Sequence, residues 1–256
     1  MKVLAVGDLV GENGLKKLRQ DLPNIQEAEN IDFTIVNGEN VASGIGMNKQ
    51  NYEELKKLNI DVITMGNHTW GKMDIFKFIS EGNIIRPANY SKGVPGKGYM
   101  VVEKNNKKIA VVNLIGRTDM NVLSDNPYTC IDYIIEKIKE KVDMIFLDFH
   151  AEATAEKIAM GYHVDGRVTA MFGTHTHVQT ADERILPKGT GYITDIGMTG
   201  PKESVIGMDI STSLRRFITS LPERYKLADG ECKLNGVIFE INDETCQTEK
   251  VYRIDC

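Results

Sequence analysis

The stretch Val62-Ile63-Thr64-Met65-Gly66-Asn67-His68 is short, apolar and rich in β-branched residues, and it ends in glycine, an amide and an imidazole. An apolar run of this length bounded by a turn signal reads as a buried strand. The same pattern recurs upstream. Phe33 to Val36 runs into Gly38-Glu39-Asn40, and Val3 to Val6 runs into Gly7-Asp8. It recurs downstream, where Met144 to Leu147 leads into Asp148-Phe149-His150 and Val168 to Phe172 into Gly173-Thr174-His175-Thr176-His177. Amphipathic runs lie between these strands. Leu15 to Glu29 has helical character interrupted near Pro23, and Tyr52 to Leu58, Ile75 to Ile79, Ile131 to Val142 and Ala155 to Tyr162 read as helices. Strands alternating with helices predict an α/β fold with parallel βαβ units.

Elsewhere the pattern changes. Lys104-Asn105-Asn106-Lys107 between two apolar runs predicts a hairpin turn. Late strands are expected over 191–195, 237–241 and 250–254, with a helix over 211–221. No repeat, low-complexity stretch or Pro/Gly/Ser-rich linker divides the chain. The expectation is one domain over residues 1–256, with a small excursion around 80–120.

Five strand ends therefore carry side chains able to bind metal: Asp8; Glu39 and Asn40; Asn67 and His68; His150; and His175 and His177. Open α/β sheets bind ligands at the carboxyl edge of their strands, so parallel strands bring these clusters to one edge. Any one of them alone reads as a turn, a cap or a core histidine. Together they hold four of the five histidines of the chain, the exception being His163, which reads as a helix-end or loop residue. Carboxylate, amide oxygen and imidazole suit Mn, Fe or Zn better than Ca or Mg. Thiolate is absent from every cluster, which argues against a structural zinc site. His175 and His177, two apart, would point to one side of an extended loop and ligate one metal each.

Other chemistries lack their signatures. There is no Gly-Lys-Ser/Thr phosphate loop, no dinucleotide fingerprint and no Gly-x-Ser-x-Gly elbow. Ser43-Gly44-Ile45-Gly46 reads either as a set of N–H groups for a phosphate or as a plain connecting loop. A formal charge of -5 offers no electrostatic grip on long nucleic acid. The four cysteines form no C-x-x-C pair and suit a reducing compartment. The polar N-terminus does not resemble a signal peptide, and no apolar run approaches the ~20 residues of a membrane span. A cytoplasmic protein is expected, with no membrane partner.

The ordered motifs resemble those of calcineurin-like metallophosphoesterases: Asp-x-His, Gly-Asp, Gly-Asn-His-Asp/Glu, His, then Gly-His-x-His. Here they stand as Gly7-Asp8-Leu9-Val10, Gly38-Glu39-Asn40, Gly66-Asn67-His68-Thr69, His150 and Gly173-Thr174-His175-Thr176-His177. Val10 replaces a metal-binding His, Glu39 a bridging Asp, and Thr69 an acidic residue. These departures, with Asn37 to Gly44 and Gly66 to Trp70, resemble the YmdB-like 2′,3′-cyclic nucleotide phosphodiesterases of bacteria. The resemblance implies a layered sandwich of central β-sheets flanked by helices, and two divalent ions, Fe or Mn with Zn as a further option. It implies that Asp8, Asn40 and His177 hold one ion, that Asn67, His150 and His175 hold the other, and that Glu39 bridges them. Asn40 would fill the place Val10 leaves. His68 would act as general acid while metal-activated hydroxide opens a 2′,3′-cyclic nucleotide to a nucleoside monophosphate. It also implies a homo-oligomer. The alternatives are a phosphomonoesterase or nuclease built on the same centre, or a non-catalytic metal- and nucleotide-binding regulator.

Overall fold

The computed structural model describes all 256 residues. The chain runs through β1 (Lys2–Val6), β2 (Asp8–Leu9), α1 (Gly11–Glu29), β3 (Phe33–Asn37), α2 (Lys49–Leu55) and β4 (Val62–Thr64). It continues through β5 (Tyr99–Lys104), β6 (Lys107–Ile115), α3 (Pro127–Ile138), β7 (Met144–His150), α4 (Thr154–Val164) and β8 (Ala170–Thr174). It closes with β9 (Arg184–Ile185), β10 (Gly191–Ile193), β11 (Met198–Pro201), α5 (Ile210–Thr219), β12 (Cys232–Ile241) and β13 (Thr248–Asp255).

The strands form two sheets. One is ordered β2-β11-β12-β1-β3-β4, with β13 on β12; the other is ordered β5-β6-β7-β8-β10-β9. The expected parallel units are present: β1, β3 and β4 run parallel in the first sheet, and β6, β7, β8 and β10 in the second. Successive residues of a strand point to opposite faces, and this alternation builds three layers of core. Val3, Ala5, Phe33, Ile35 and Val62 meet Val111, Phe146 and Phe172 between the sheets. Leu4, Val6 and Val36 face outward onto Leu15, Leu18 and Leu22 of α1. Val112, Leu114 and Leu147 face outward onto Ile131, Ile134 and Ile138 of α3. The result is a helix–sheet–sheet–helix sandwich.

Several boundaries differ from expectation, each for a local reason. Helix α1 starts at Gly11 and continues through Pro23. Its buried stripe on the first sheet offsets the hydrogen bond that proline removes. Helix α2 starts at Lys49 because Asn48 and Asn51 cap each other reciprocally, and it ends at Leu55. Residues 73–77 form a 3-10 turn rather than an α-helix. The hairpin falls where expected, with Asn105 at φ 51° and Asn106 at φ 61°, the left-handed pair of a tight β-turn. Strand β8 runs two residues further than expected, so the polar cluster after it begins at His175. No helix is long and apolar enough to cross a membrane.

Candidate metal centre

The five strand-end clusters do not share the edge of one sheet. Asp8, Glu39, Asn40, Asn67 and His68 follow strands of the first sheet, whereas His150, His175 and His177 come from β7 and the loop after β8 in the second. The two carboxyl edges face each other at one end of the sandwich, and the clusters meet across the gap. Glu39, His150 and His175 present ligand atoms that all lie within 4.8 Å of one another.

Glu39 is fully buried. Its Oε2 accepts from the His68 main-chain N–H at 3.0 Å. Its Oε1 lies 3.2 Å from His150 Nε2 and 3.3 Å from His68 Nδ1, yet neither contact is aligned as a hydrogen bond. Asp8, also fully buried, accepts from the His175 N–H at 2.9 Å through Oδ2, and His177 Nε2 lies 3.4 Å from that oxygen. Its Oδ1 has no hydrogen-bond partner. Two buried carboxylate oxygens without partners are costly unless a cation takes them. Asn67 Oδ1 lies 2.8 Å from His150 Nε2, and His175 Nδ1 lies 3.1 Å from that same nitrogen. Asn40 bridges two rings, with Oδ1 2.7 Å from His68 Nδ1 and Nδ2 3.0 Å from His177 Nε2. Gly66 has to be glycine, because a Cβ there would lie 2.4 Å from Glu39 Oε2 and from His150 Nε2.

The outer nitrogens of the imidazoles are also held. His150 Nδ1 lies 2.8 Å from Thr174 Oγ1, His175 Nε2 3.0 Å from Glu152, and His177 Nδ1 donates to the Ile206 carbonyl at 2.9 Å. Ligating histidines are oriented through their second nitrogen in this way. The loop from His175 to His177 is not extended: His175 has φ 101° and His177 φ 64°, and the rings reach different partners. Thr176 between them is pinned through its N–H and hydroxyl to Asp195, which also pairs with Lys157 at 2.7 Å. Lys157 and Asp195 are both about 1% exposed.

Electrostatics match a cation site. Burial pushes the Asp8 carboxyl well above its ordinary range, with Glu39 adding to the rise against the pull of His150. Burial acts the same way on Glu39, but the His150 and His68 rings outweigh it and hold that carboxyl well below its usual range. Burial lowers His150, yet Glu39, Asp8 and Asp148 outweigh it and raise the ring to about 9. Burial and the neighbouring His150 push His175 down to about 3. A neutral imidazole is the form that ligates metal, so His175 already stands in that form whereas His150 would first give up a proton.

Above the cluster lies a cavity of about 350 Å³, lined by Glu39, Asn40, His68, Glu152, His175 and Tyr225 among others. The Ser43–Gly46 loop borders it, but the N–H groups of Ser43, Gly44 and Ile45 already donate to Val41, Asn40 and Ala42 carbonyls. This favours the connecting-loop reading over a phosphate cradle. His163 lies in α4 and pairs with Asp132 at 2.9 Å, outside the cluster. Val10 is buried beside Gly200 and Gly207. Sequence reasoning missed Glu152, Thr174, Asp148 and the Lys157–Asp195 pair. A buried lysine on an otherwise apolar helix face was the one signal available for that pair.

A family model described as YmdB-like protein matches residues 4–254. The chain is 48% identical over 255 residues to the 2′,3′-cyclic-nucleotide 2′-phosphodiesterase of Bacillus subtilis, covering 99% of this chain and 96% of that one. Among solved structures, a novel phosphatase of Mycoplasma pneumoniae superposes with a TM-score of 0.95 at 38% identity, covering 100% of this chain and 93% of that one. A hypothetical protein of Thermus thermophilus superposes with a TM-score of 0.94 at 36% identity, covering 100% and 99%. A 5′-nucleotidase precursor of Thermus thermophilus shares the fold alone, with a TM-score of 0.61 at 11% identity, covering 100% of this chain and 54% of that one. The sandwich, the strand-end cluster and these matches together place the chain in the YmdB-like family of metallophosphoesterase fold.

Proposed function

We propose that the chain is a metal-dependent phosphodiesterase that opens 2′,3′-cyclic nucleotides to nucleoside monophosphates. The observation that carries this reading is the pair of buried, unpartnered carboxylate oxygens of Asp8 and Glu39 beside three imidazoles. That donor set fits divalent Fe or Mn, with Zn as a further option. Asp8, Asn40 and His177 would hold one ion and Asn67, His150 and His175 the other, with Glu39 shared. When bound, two such ions supply positive charge that activates a water nucleophile and stabilises the phosphoryl oxygens.

The rest falls to the protein. His68 is about one-third exposed and borders the cavity. Its Nδ1 donates to Asn40 Oδ1, so Nε2 can carry a proton to the departing ribose oxygen as its bond to phosphorus breaks. In the structure the Asn40 amide turns Nδ2 toward His177; ligation through oxygen there would turn the amide over and set Nδ2 against His68 Nδ1, which would then accept and leave the ring proton on Nε2. The whole chain, residues 1–256, acts as the catalytic unit, since Met1 bonds to Asp243 and β13 pairs with β12. The four free cysteines suit a cytoplasmic setting. Helix α5 buries no residue and exposes Leu214, Phe217 and Ile218, which supports a homo-oligomer.

The name of the Mycoplasma relative favours a second reading, a phosphomonoesterase on the same centre. Elemental analysis and hydrolysis assays on one preparation test both. About two metals per chain with turnover of 2′,3′-cyclic AMP supports the first reading. Turnover of nucleoside monophosphates alone supports the second. Metal-free protein that stays inactive after Mn or Fe is added sinks both.

A further inference from the structure

The apolar faces that meet between the sheets turn polar at one level, directly beneath the metal-competent cluster. Along β3 the inward series Phe33, Ile35 ends in Asn37, and along β4 Val62 gives way to Thr64. Along β7 Phe146 is followed by Asp148 and His150, and along β8 Phe172 is followed by Thr174. All five polar residues are at most 1% exposed. Asp148 is their hub. Its Oδ2 accepts from the Thr64 hydroxyl and from Asn37 Nδ2 at 3.2 Å, and its Oδ1 accepts from the Thr174 hydroxyl at 2.7 Å. None of these donors is a cation.

We propose that Asp148, acting through Thr174, is the positioning residue that holds His150 in the one tautomer able to ligate metal; this rests on the dinuclear reading above. A hydroxyl has a single proton to donate, and an ionised carboxylate only accepts. The Thr174 proton therefore goes to Asp148. The same oxygen then accepts from His150 Nδ1–H, 2.8 Å away. This leaves the lone pair on Nε2, the nitrogen that faces Glu39 Oε1 at 3.2 Å, Asn67 Oδ1 at 2.8 Å and His175 Nδ1 at 3.1 Å. The other tautomer sets an acceptor nitrogen against an oxygen with no proton to give, and places an N–H where the ligand lone pair belongs. A carboxylate behind a ligating imidazole also strengthens the ring as a donor. Asp148 and Thr174 belong to the second sheet, Thr64 and Asn37 to the first. One carboxylate thus sets the ligand and ties together the two rims that form the site.

The test is Mn²⁺ affinity of metal-stripped protein, by competition with a chelator, for wild type, Thr174→Val and Thr174→Ser. Valine keeps the shape and breaks both links; serine keeps the hydroxyl. Thr174→Val is expected to weaken one of the two ions by about 10–100-fold, with turnover recovered in excess Mn²⁺, while Thr174→Ser stays close to wild type. In Zn-loaded, ¹⁵N-histidine-labelled protein, the His150 Nδ1 proton should exchange slowly in wild type and Thr174→Ser and much faster in Thr174→Val. If Thr174→Val does not fold, Thr174→Ala makes the same test, since it also removes the hydroxyl and with it both links. Unchanged affinity in Thr174→Val, or Thr174→Ser as weak as Thr174→Val, overturns the proposal. Wild-type protein that takes up no metal overturns the dinuclear reading itself, and that result is read before any variant is compared.

Discussion

The two rims that meet over the sandwich differ in chemistry. The rim of the first sheet supplies oxygen: Asp8, Glu39, Asn40 and Asn67, with two buried carboxylate atoms left without partners. The rim of the second supplies nitrogen: His150, His175 and His177, whose outer ring atoms already face Thr174, Glu152 and the Ile206 carbonyl. The oxygen rim keeps two buried carboxylate oxygens to which a cation would be the fitting partner, whereas the nitrogen rim is oriented in advance. Neither sheet alone presents a site. A buried anionic floor is tolerable only because the opposite sheet brings imidazoles, and any ion between them, to within hydrogen-bonding range.

The heaviest blow to this contrast is Glu39→Ala, which removes the carboxylate that contacts both His150 and His68. We expect loss of bound metal and a fall in kcat/KM on the order of 10³-fold or more, about 4 kcal/mol of barrier. Retained metal with full turnover would show that the oxygen rim is structural. His68→Ala should lower turnover by about 10²–10⁴-fold while metal content stays at the wild-type level. Metal loss in that variant would move His68 from acid to ligand. On the nitrogen rim, Lys157→Met strands Asp195, the anchor of Thr176. Breaking one side of a buried pair costs about 3–5 kcal/mol, and thermal unfolding should report a fall in Tm on the order of 10 °C.

A gentler probe uses pH. Without metal, burial lowers His150 but the surrounding carboxylates outweigh it and hold the ring near 9, so below that value a proton would compete for the nitrogen proposed to hold metal. Metal uptake there would release it. Apparent affinity for Mn²⁺ should climb as pH rises toward about 9 and then level, with proton release measured alongside; a flat profile would contradict the assigned field. His175, pushed down to about 3 by burial and by His150, adds no such competition in the neutral range. The smallest effect is expected from Tyr90→Phe. It removes the hydroxyl that donates to the Gly66 carbonyl at 3.0 Å while Thr69 still bonds that oxygen. The cost should be about 1 kcal/mol, read as a shift of a few degrees in Tm with little change in turnover.

Much of this protein was legible in its residues. The apolar runs and the polar clusters that end them follow from periodicity, because burial and backbone geometry impose a period of two on each strand. The hairpin at Asn105-Asn106 follows from local turn chemistry. What periodicity could not carry was pairing across the fold. The clusters read as one sheet edge belong to two, since a run of parallel strands does not say which face its partner sheet will cover. The bounds of α1 and α2 moved with tertiary packing over Pro23 and with a reciprocal asparagine cap. Glu152, Thr174, Asp148 and the Lys157–Asp195 pair became functional candidates only in three dimensions. The sequence by itself determined which side chains stand at the strand ends, because each strand end is a local event. Only the tertiary structure decided which of them face one another and which buried groups stand behind them, because those contacts join residues such as Asn37 and Asp148, 111 positions apart, through a core that forms only when both sheets close.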